Sequence, residues 1–427
     1  PPSYRGAVEG DSLHRLIREL PKSDLHLHLD GSLRLETLIE LAAERGVRLP
    51  SETPEGLQET VFKARYASLS EYLEGFRYTC AVLQDREALE RSSYELCRDC
   101  QEEGVFYLEI RFAPQLHTHE GFGIPAVLAA VSRGIERAEK EFGARPEVRE
   151  GGLPPFRAGI IVCALRCFAP AFSRTYADMF HSFADLPRQK IFGLASEALV
   201  RASVRARDER GLPVVGVDLA GQEKGFPAED HRRAYQLAHA AFLGKTVHAG
   251  EDYGPESIFQ AITECHADRI GHGTWLFSAE RIQSTRIQAP QAYVDRLVQY
   301  VADRRITLEV CLTSNLQTLP VLGSLGNHPF QKMRKNRLSA TFCTDNRLVS
   351  RTTATREVEQ AVRVFGLGPK ELADLLVYGF KRAFYPGPYL EKRAFVRRIL
   401  DHRNEVLGRY GVGPRQLRWD PPAGPGQ

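Results

Sequence analysis

Eight short apolar runs recur along the chain, and segments with helical periodicity separate them. Most of these runs are apolar almost throughout, as is typical of parallel strands that are buried on both faces of a sheet. Several of the intervening segments end at a glycine, which is a common helix stop signal. Eight strands that alternate with helices predict a (β/α)8 TIM barrel. The predicted strands span residues 23–30, 105–114, 158–165, 214–221, 245–251, 268–273, 307–315 and 339–346.

Further segments surround the predicted barrel. Residues 31–104 separate the first two strands, which is far more than an ordinary βα loop needs, so we expect a helical insertion after strand 1. The barrel itself is assigned to residues 21–390. Residues 1–20 are predicted to form an N-terminal helical extension, and residues 391–427 extra C-terminal helix followed by a disordered tail.

Composition narrows the class of partner. Lys and Arg number 57 against 54 Asp and Glu, and no dense basic run occurs, so neither a nucleic acid nor a membrane surface is indicated. A small molecule is the expected partner, and the oligomeric state stays open. The chain shows no apolar run of membrane-spanning length and no signal peptide at its start, which predicts a cytoplasmic protein. The eight cysteines, including Cys97 and Cys100, are interpreted as reduced structural thiols.

Polar residues stand near the carboxyl ends of the predicted strands, where the active sites of TIM barrels lie. His26 and His28 alternate with leucines, so they share one face of strand 1. A strand that turns its polar face to solvent is the alternative interpretation of this pair. His248, His272 and Asp345 follow at the ends of strands 5, 6 and 8. Each could be a structural polar group, but together they predict a metal site, because imidazole and carboxylate are ligands that zinc accepts readily.

The same residues carry a family resemblance. Five motifs, in this order and spacing, resemble the adenosine deaminase family of the amidohydrolase superfamily, and the resemblance covers roughly residues 21–390. The segment "GVFYLEIRFAP" is also similar to that family. The five motifs are "SDLHLHLDGSL", "VDLAGQE", "VHAGE", "RIGHG" and "CTDN".

The resemblance implies a zinc-dependent hydrolytic deaminase with one Zn²⁺ per chain. Its implied metal ligands are His26, His28, His248 and Asp345. The implied catalytic residues are Glu251, which protonates the purine ring, His272, which helps to orient the attacking water, and Asp345. Chemistry supports these roles, since attack on an aromatic ring requires an acid at the adjacent nitrogen, and catalytic zinc sites keep a position for water.

The resemblance also implies how a substrate is chosen. Asp30 matches an aspartate that is associated with the ribose 5′-hydroxyl of a nucleoside, and Gly221 matches a glycine whose backbone approaches the purine. Asn346 is a departure, because many members of the family have a second aspartate there. An asparagine amide can still donate a hydrogen bond to the purine N7. The predicted substrate-binding residues are His28, Asp30, Gly221, Asn346, Tyr72, Leu73 and Phe76.

Several assignments stay open at this point. Tyr72, Leu73 and Phe76 form either an apolar gate over the substrate or the core of the insertion itself. Ser314 and Asn315 either line the pocket or end strand 7. The segment "LHTHE", with His117, His119 and Glu120, is interpreted as a loop after strand 2, because the predicted metal site is complete without it.

Three hypotheses for function follow. The first is deamination of adenosine and deoxyadenosine to inosine and deoxyinosine plus ammonia. The second keeps the chemistry but changes the substrate to a modified adenine nucleoside of the aminofutalosine type or to free adenine. The third, from a different class, is a catalytically silent nucleoside-binding protein on the same barrel.

Overall fold

The computed structural model describes residues 10–412, in which eight parallel strands pair in sequence order from β1 to β8. Each strand is short and almost entirely buried, as expected for a sheet covered on both faces. The prediction of a (β/α)8 TIM barrel is thereby confirmed. The strands are β1 (Lys22–His28), β2 (Val105–Phe112), β3 (Arg157–Leu165), β4 (Val214–Ala220), β5 (Gly244–Ala249), β6 (Arg269–His272), β7 (Thr307–Val310) and β8 (Ala340–Phe342).

The sheet nearly closes on itself just beyond the end of β8. There Asp345 forms an isolated parallel bridge with Leu27 of β1. The backbone N–H of His28 donates to the carbonyl of Asp345 at 2.7 Å, and the N–H of Asp345 donates to the carbonyl of His26 at 2.8 Å. The contact that closes the barrel therefore brings three polar residues of the predicted site together.

Helices separate the strands and cover the outside of the barrel. The glycine stop signals act as expected at Gly46 and Gly211, which lie in the left-handed region at φ 65° and 66°. The helices are α1 (Gly10–Glu19), α2 (Leu35–Arg45), α3 (Pro54–Thr60), α4 (Leu69–Leu73), α5 (Phe76–Val82), α6 (Arg86–Glu102), α7 (Ile124–Gly143), α8 (Pro146–Arg149), α9 (Arg174–Ser182), α10 (Arg188–Arg210), α11 (Arg232–Ala240), α12 (Pro255–Cys265), α13 (Pro290–Asp303), α14 (Leu312–Thr318), α15 (Phe330–Lys335), α16 (Ala354–Phe365), α17 (Pro369–Arg382) and α18 (Tyr389–Arg409).

The predicted end of strand 7 is wrong. β7 stops at Val310, and the stretch assigned to its end forms helix α14 instead. A contact distant in sequence accompanies the first turn of this helix, where the N–H of Thr313 donates to the Glu357 carboxylate at 3.1 Å. Ser314 and Asn315 therefore do not end a strand.

The predicted additions to the barrel are helical. Helices α2 to α5 lie in the long connection between β1 and β2, and α18 follows the barrel. The domain boundaries at 20 and 390 stay a prediction, and the structure begins the last helix at Tyr389. The predicted disordered tail extends beyond the described residues.

Charged side chains fill part of the barrel interior beneath the carboxyl ends of the strands. Glu309 of β7 accepts from Arg111 at 2.9 Å and from Arg269 at 2.6 Å, and all three side chains are at most 1% exposed. Arg111 also pairs with Asp218 of β4 at 3.0 Å. Each charge of this network therefore has an opposite charge within reach, and the network lies beneath the carboxyl ends of the strands.

The remaining core is apolar and lies between strands and helices. All eight cysteines are free thiols, and Cys97 and Cys100 are buried on α6. Within residues 10–412, the helices include none with the length and apolar character that a membrane span requires.

Candidate active site

Three imidazoles and one carboxylate converge at the carboxyl end of the barrel. His26 Nε2 lies 3.0 Å from His248 Nε2 and 3.4 Å from Asp345 Oδ1. His28 Nε2 lies 3.2 Å from His248 Nε2 and 3.5 Å from Asp345 Oδ1. All four side chains are buried, and their ligand atoms lie within 4.8 Å of one another. The residues predicted to hold a metal are thus brought together from β1, β5 and the segment after β8.

Local backbone geometry aims these side chains inward. In β1 the alternation of the strand separates the two histidines from Leu25, Leu27 and Leu29, which are at most 1% exposed in the core. Asp345 adopts a left-handed conformation at φ 62°, which is uncommon for a residue with a side chain. Such a conformation persists when the surrounding structure holds it, and here the bridge to β1 holds it on both sides.

Two buried carboxylates orient two of the imidazoles. His26 Nδ1 contacts Glu309 Oε2 at 2.8 Å, and His248 Nδ1 contacts Asp218 Oδ2 at 3.0 Å. Each Nδ1 therefore carries a proton, and the Nε2 atom of each ring faces the centre of the cluster. Imidazole nitrogens that converge in this way can each donate a lone pair to a metal ion when the rings are neutral. This donor set fits a metal ion, with carboxylate partners behind the histidines.

Asp345 and His272 are held by helix α14. Ser314 Oγ donates to Asp345 Oδ2 at 2.6 Å, which leaves Oδ1 turned toward the imidazoles. Asn315 Nδ2 lies 2.9 Å from His272 Nδ1. Ser314 and Asn315 therefore contact residues of the site, while a role in lining the substrate pocket stays a prediction.

A chain of hydrogen bonds fixes the tautomer of His272. The N–H of Phe330 donates to His328 Nδ1 at 3.2 Å, so the proton of neutral His328 is on Nε2. That Nε2 donates to Asn315 Oδ1 at 3.2 Å, which turns the Asn315 amide nitrogen toward His272 Nδ1. The proton of His272 is consequently on Nε2, which lies 3.5 Å from Glu251 Oε2.

Glu251 occupies the turn after β5, and Glu223 holds that turn in place. The Glu223 carboxylate accepts hydrogen bonds from four successive backbone N–H groups, those of residues 250 to 253, at 2.7 to 3.0 Å. Trp275 Nε1 donates to the carbonyl of Glu251 at 2.7 Å. The position of the predicted acid is thus fixed through its backbone, while its carboxyl group stays free to face the site.

Burial sets the protonation of the site. Burial, and after it the negative charge of Asp345, raises the pKa of Glu251 to about 8. Burial lowers the pKa of His28 and His272 well below the usual value for histidine, so both are neutral. Although burial opposes it, hydrogen bonding and charge from His26 hold the pKa of Asp345 well below its usual range. Near neutral pH the site therefore combines a protonated acid, the neutral imidazoles of His28 and His272, and an ionised carboxylate.

The predicted substrate residues lie beside this cluster. Asp30 follows β1 with its side chain buried, and burial raises its pKa to about 7. Asn346 Nδ2 donates to the Tyr72 hydroxyl at 2.8 Å, and that hydroxyl also contacts Ser350 Oγ at 2.8 Å. Gly31 packs on Asn346 so closely that a Cβ would lie 1.8 Å from Asn346 Oδ1, which explains the glycine in "LDGS".

The other three substrate predictions lie in different surroundings. Gly221 follows β4 and has φ 94°, a conformation that residues with a side chain rarely adopt, while a Cβ there would meet only a backbone nitrogen at 3.8 Å. Phe76 packs against the main core and its ring lies 6.5 Å from that of Tyr72, whereas Leu73 is 37% exposed. A substrate gate formed by Tyr72, Leu73 and Phe76 stays a prediction.

Comparisons with known proteins agree with this geometry. The family model for adenosine deaminase matches residues 21–208 and 186–402. An adenosine deaminase of Mycobacterium avium is 35% identical over 394 residues, which are 92% of this chain and 97% of that protein. A probable adenosine deaminase of Dictyostelium discoideum is 33% identical over 87% of this chain, but the match spans only 42% of that longer protein.

This chain belongs to the adenosine deaminase family. The resemblance inferred from the five motifs is confirmed, and so is the prediction of a hydrolytic deaminase enzyme. Solved structures of the same fold include an amidohydrolase from Burkholderia ambifaria with bound Zn, at 20% identity and a TM-score of 0.73 over 96% of this chain and 98% of that one. They also include an N6-mAMP deaminase from Arabidopsis, at 25% identity and a TM-score of 0.68 over 91% and 99%. The family is metal-dependent, and this chain contains a cluster that could hold the metal.

The residues that hold the predicted site residues in place through hydrogen bonds were not identified from the sequence. Glu309 and Asp218 are carboxylates within apolar strands, and a charge in such a run is itself a signal that an interior partner exists. Glu223 ends the quoted motif "VDLAGQE" but received no role. His328 lies in an irregular segment with no periodic pattern, so no signal in the sequence identifies it.

Proposed function

We propose that this chain catalyses the zinc-dependent hydrolytic deamination of adenosine and deoxyadenosine, giving inosine or deoxyinosine and ammonia. The observation that carries the proposal is the convergence of His26, His28, His248 and Asp345 beside Glu251, whose pKa burial raises to about 8. These four residues would hold one zinc ion. When bound, zinc supplies a Lewis acid that brings the pKa of a water near 7 and so makes a nucleophile available at neutral pH.

The protein's own residues do the rest of the chemistry. Glu251 delivers its proton to the ring nitrogen next to the carbon that carries the amine, which lets that carbon accept electrons from the nucleophile. His272 donates from Nε2 and orients the oxygen of the attacking water. The hydrogen bonds from the backbone N–H groups around Glu251 to the Glu223 carboxylate support this arrangement, because they hold the backbone of Glu251 in place. Addition, proton transfer and departure of ammonia leave the hydroxyl-bearing product.

Asp30 supports a nucleoside as the substrate. Its Oδ1 is buried and has no hydrogen-bond partner. The 5′-hydroxyl of a ribose supplies the missing donor, whereas free adenine has no ribose and would leave the carboxylate unsatisfied. A 5′-phosphate presents only acceptors to the same carboxylate and would be repelled. Asn346 has a second Nδ2 hydrogen beside the one given to Tyr72, and this hydrogen is available to the purine N7.

The experiment is a substrate panel on purified, zinc-loaded protein. Ammonia release is measured with adenosine, deoxyadenosine, free adenine, adenosine 5′-monophosphate and an aminofutalosine-type nucleoside. We expect kcat/KM for adenosine and deoxyadenosine to exceed the values for adenine and the monophosphate by about tenfold or more, given the cost of an unsatisfied buried group. A preference for adenine or for the monophosphate would reject the nucleoside assignment. Nucleoside binding without ammonia release would instead favour the catalytically silent alternative.

A further inference from the structure

A second group of metal-ligand side chains lies next to the candidate active site. Asp30, Cys80 and His117 each offer one ligand atom, and these three atoms lie within 4.8 Å of one another. The group draws on three separate parts of the chain, because Asp30 follows β1, Cys80 lies on α5 and His117 ends a short 3-10 helix after β2. None of these residues belongs to the cluster of His26, His28, His248 and Asp345.

Two atoms of this group are buried acceptors without a partner. The His117 side chain donates from Nδ1 to the carbonyl of Leu83 at 2.9 Å, so Nε2 of the neutral ring carries a lone pair. His117 Nε2 and Asp30 Oδ1 both lack a hydrogen-bond partner, although the two residues are 0% and 4% exposed. Burial also lowers the pKa of His117 to about 4, which keeps the ring neutral. His117 Nε2 and Asp30 Oδ1 thus each present a buried lone pair to which no protein group donates.

The chemistry of the three side chains selects the kind of cation. A thiolate and an imidazole are ligands that favour zinc and similar transition metals over calcium or magnesium. One carboxylate and one thiolate cancel the charge of a divalent ion, which is important in a buried site. The contact between His117 and the Leu83 carbonyl is the outer-shell arrangement that orients a metal-binding histidine.

Access and protonation fit a site that fills only when metal is abundant. Cys80 is only partly buried, whereas Asp30 and His117 are buried. Burial raises the pKa of the Cys80 thiol well above its usual value. The thiol therefore stays protonated until a metal ion displaces the proton.

We propose that Asp30, Cys80 and His117 form a second zinc site that inhibits the enzyme. On binding, the Sγ–H bond of Cys80 breaks, the sulfur donates the freed electron pair to Zn²⁺, and the proton passes to solvent. Three protein ligands and a deprotonation step make this site weaker than the four-ligand site. Inhibition by competition with the nucleoside rests on the proposed function of Asp30, whereas metal binding at this site does not.

The test uses cobalt as a spectroscopic probe on the zinc-loaded full chain. The four-ligand site contains no sulfur, so a thiolate-to-cobalt charge-transfer band reports a cysteine ligand only. Cys80→Ser removes the thiol, and Cys167→Ser is the matched control because Cys167 is the other half-buried cysteine. His117→Gln removes the imidazole and provides a second variant in case the first fails to fold. Equilibrium dialysis counts the metal bound, and zinc inhibition of adenosine turnover is measured in parallel.

We expect the wild-type protein and the Cys167→Ser variant, which keeps Cys80, to bind a second equivalent of metal and to show the charge-transfer band. Cys80→Ser should lose the band, and both site variants should lose the second equivalent while zinc inhibition weakens by at least about tenfold. A second equivalent without the band, or a band that persists in Cys80→Ser, would overturn the proposal. If the band and its loss are observed but no substrate is deaminated, the metal site stands and the proposed function fails.

Discussion

The two ends of the candidate site differ in how completely their polar groups are satisfied. At the metal end, three of the four predicted ligands have a polar partner within the protein, namely Glu309 beside His26, Asp218 beside His248 and Ser314 beside Asp345. At the substrate end, Asp30 Oδ1 and Asn346 Oδ1 are buried without partners. A buried polar group without a partner costs about 1–3 kcal/mol.

This difference indicates that the metal end serves catalysis and that the substrate end serves substrate selection. The metal end is fixed before any ligand arrives, so its residues can act on a reaction without rearranging. The substrate end holds acceptors that a bound molecule would satisfy, which turns the cost of burial into selectivity for a molecule with the matching donor. Changes at the metal end should therefore affect turnover of every substrate, and changes at the substrate end should depend on which substrate is used.

The largest effect is expected from loss of a metal ligand. His26→Ala should reduce deamination to the background rate, because it removes one of four ligands and leaves Glu309 without its imidazole partner. His181→Ala is a matched control, since His181 is an exposed histidine in the last turn of α9. Metal content and circular dichroism accompany the rate measurement. If the His26→Ala protein were metal-free but active and kept the native circular dichroism spectrum, the claim that the metal end is required for deamination would be contradicted.

Loss of the acid should come next. Glu251→Gln should retain zinc and bind nucleoside, while kcat falls by several orders of magnitude because an amide cannot protonate the ring. Glu280→Gln, at an exposed glutamate, provides the control. Turnover near that of wild type in Glu251→Gln would mean that another group is the acid.

The wild-type pH profile reports the same proton. Because the pKa of Glu251 is raised to about 8, its protonated form predominates below that pH and decreases about tenfold per unit above it. A bound cation favours the ionised form, so the fall in kcat should begin no higher than about pH 8.

The substrate end is sharpened by a comparison of two substrates. Asp30→Ala should lower kcat/KM for adenosine. The expected loss corresponds to an increase of roughly 1–3 kcal/mol in activation free energy, which is the cost of losing a buried hydrogen bond. 5′-Deoxyadenosine lacks the hydroxyl and should lose far less. Equal losses on both substrates would show general damage to the pocket, and the nucleoside assignment would then lack its main support.

The smallest effect is expected behind the metal end. Ser314→Ala removes the hydroxyl that donates to Asp345 Oδ2 at 2.6 Å, and it should weaken zinc affinity by about tenfold. Ser314→Thr keeps a hydroxyl and should restore the affinity. Zinc affinity is measured by competition with a chelator. An effect confined to one substrate would contradict the assignment of Ser314 to the metal end.

The fold could be predicted because each strand forms a short apolar run that is visible in the local sequence. A parallel strand that is buried on both faces must be apolar, and the polar residues that interrupt this rule accumulate where the strands end. His26, His28, His248 and Asp345 were found in this way, although they are far apart in sequence. The metal end is thus encoded in short motifs at a place that the fold class fixes.

What could not be predicted depends on contacts between distant elements. The segment after Val310 contains Thr and Cys residues that suit a strand, but it is helical and Thr313 contacts Glu357 of α16. The tautomer of His272 depends on Asn315 and His328, whose contacts no local pattern reveals. Whether Leu73 covers a substrate is likewise a question of where an insertion packs, and the sequence alone does not decide it.

The most direct test of the central claim is metal depletion followed by reconstitution. The full chain is stripped with a chelator, dialysed, and assayed for ammonia release from adenosine before and after addition of one equivalent of Zn²⁺. We predict that the stripped protein keeps its fold but releases no ammonia, and that one equivalent restores turnover. Full turnover in the stripped protein, or a zinc-restored protein that binds adenosine without releasing ammonia, would contradict the account.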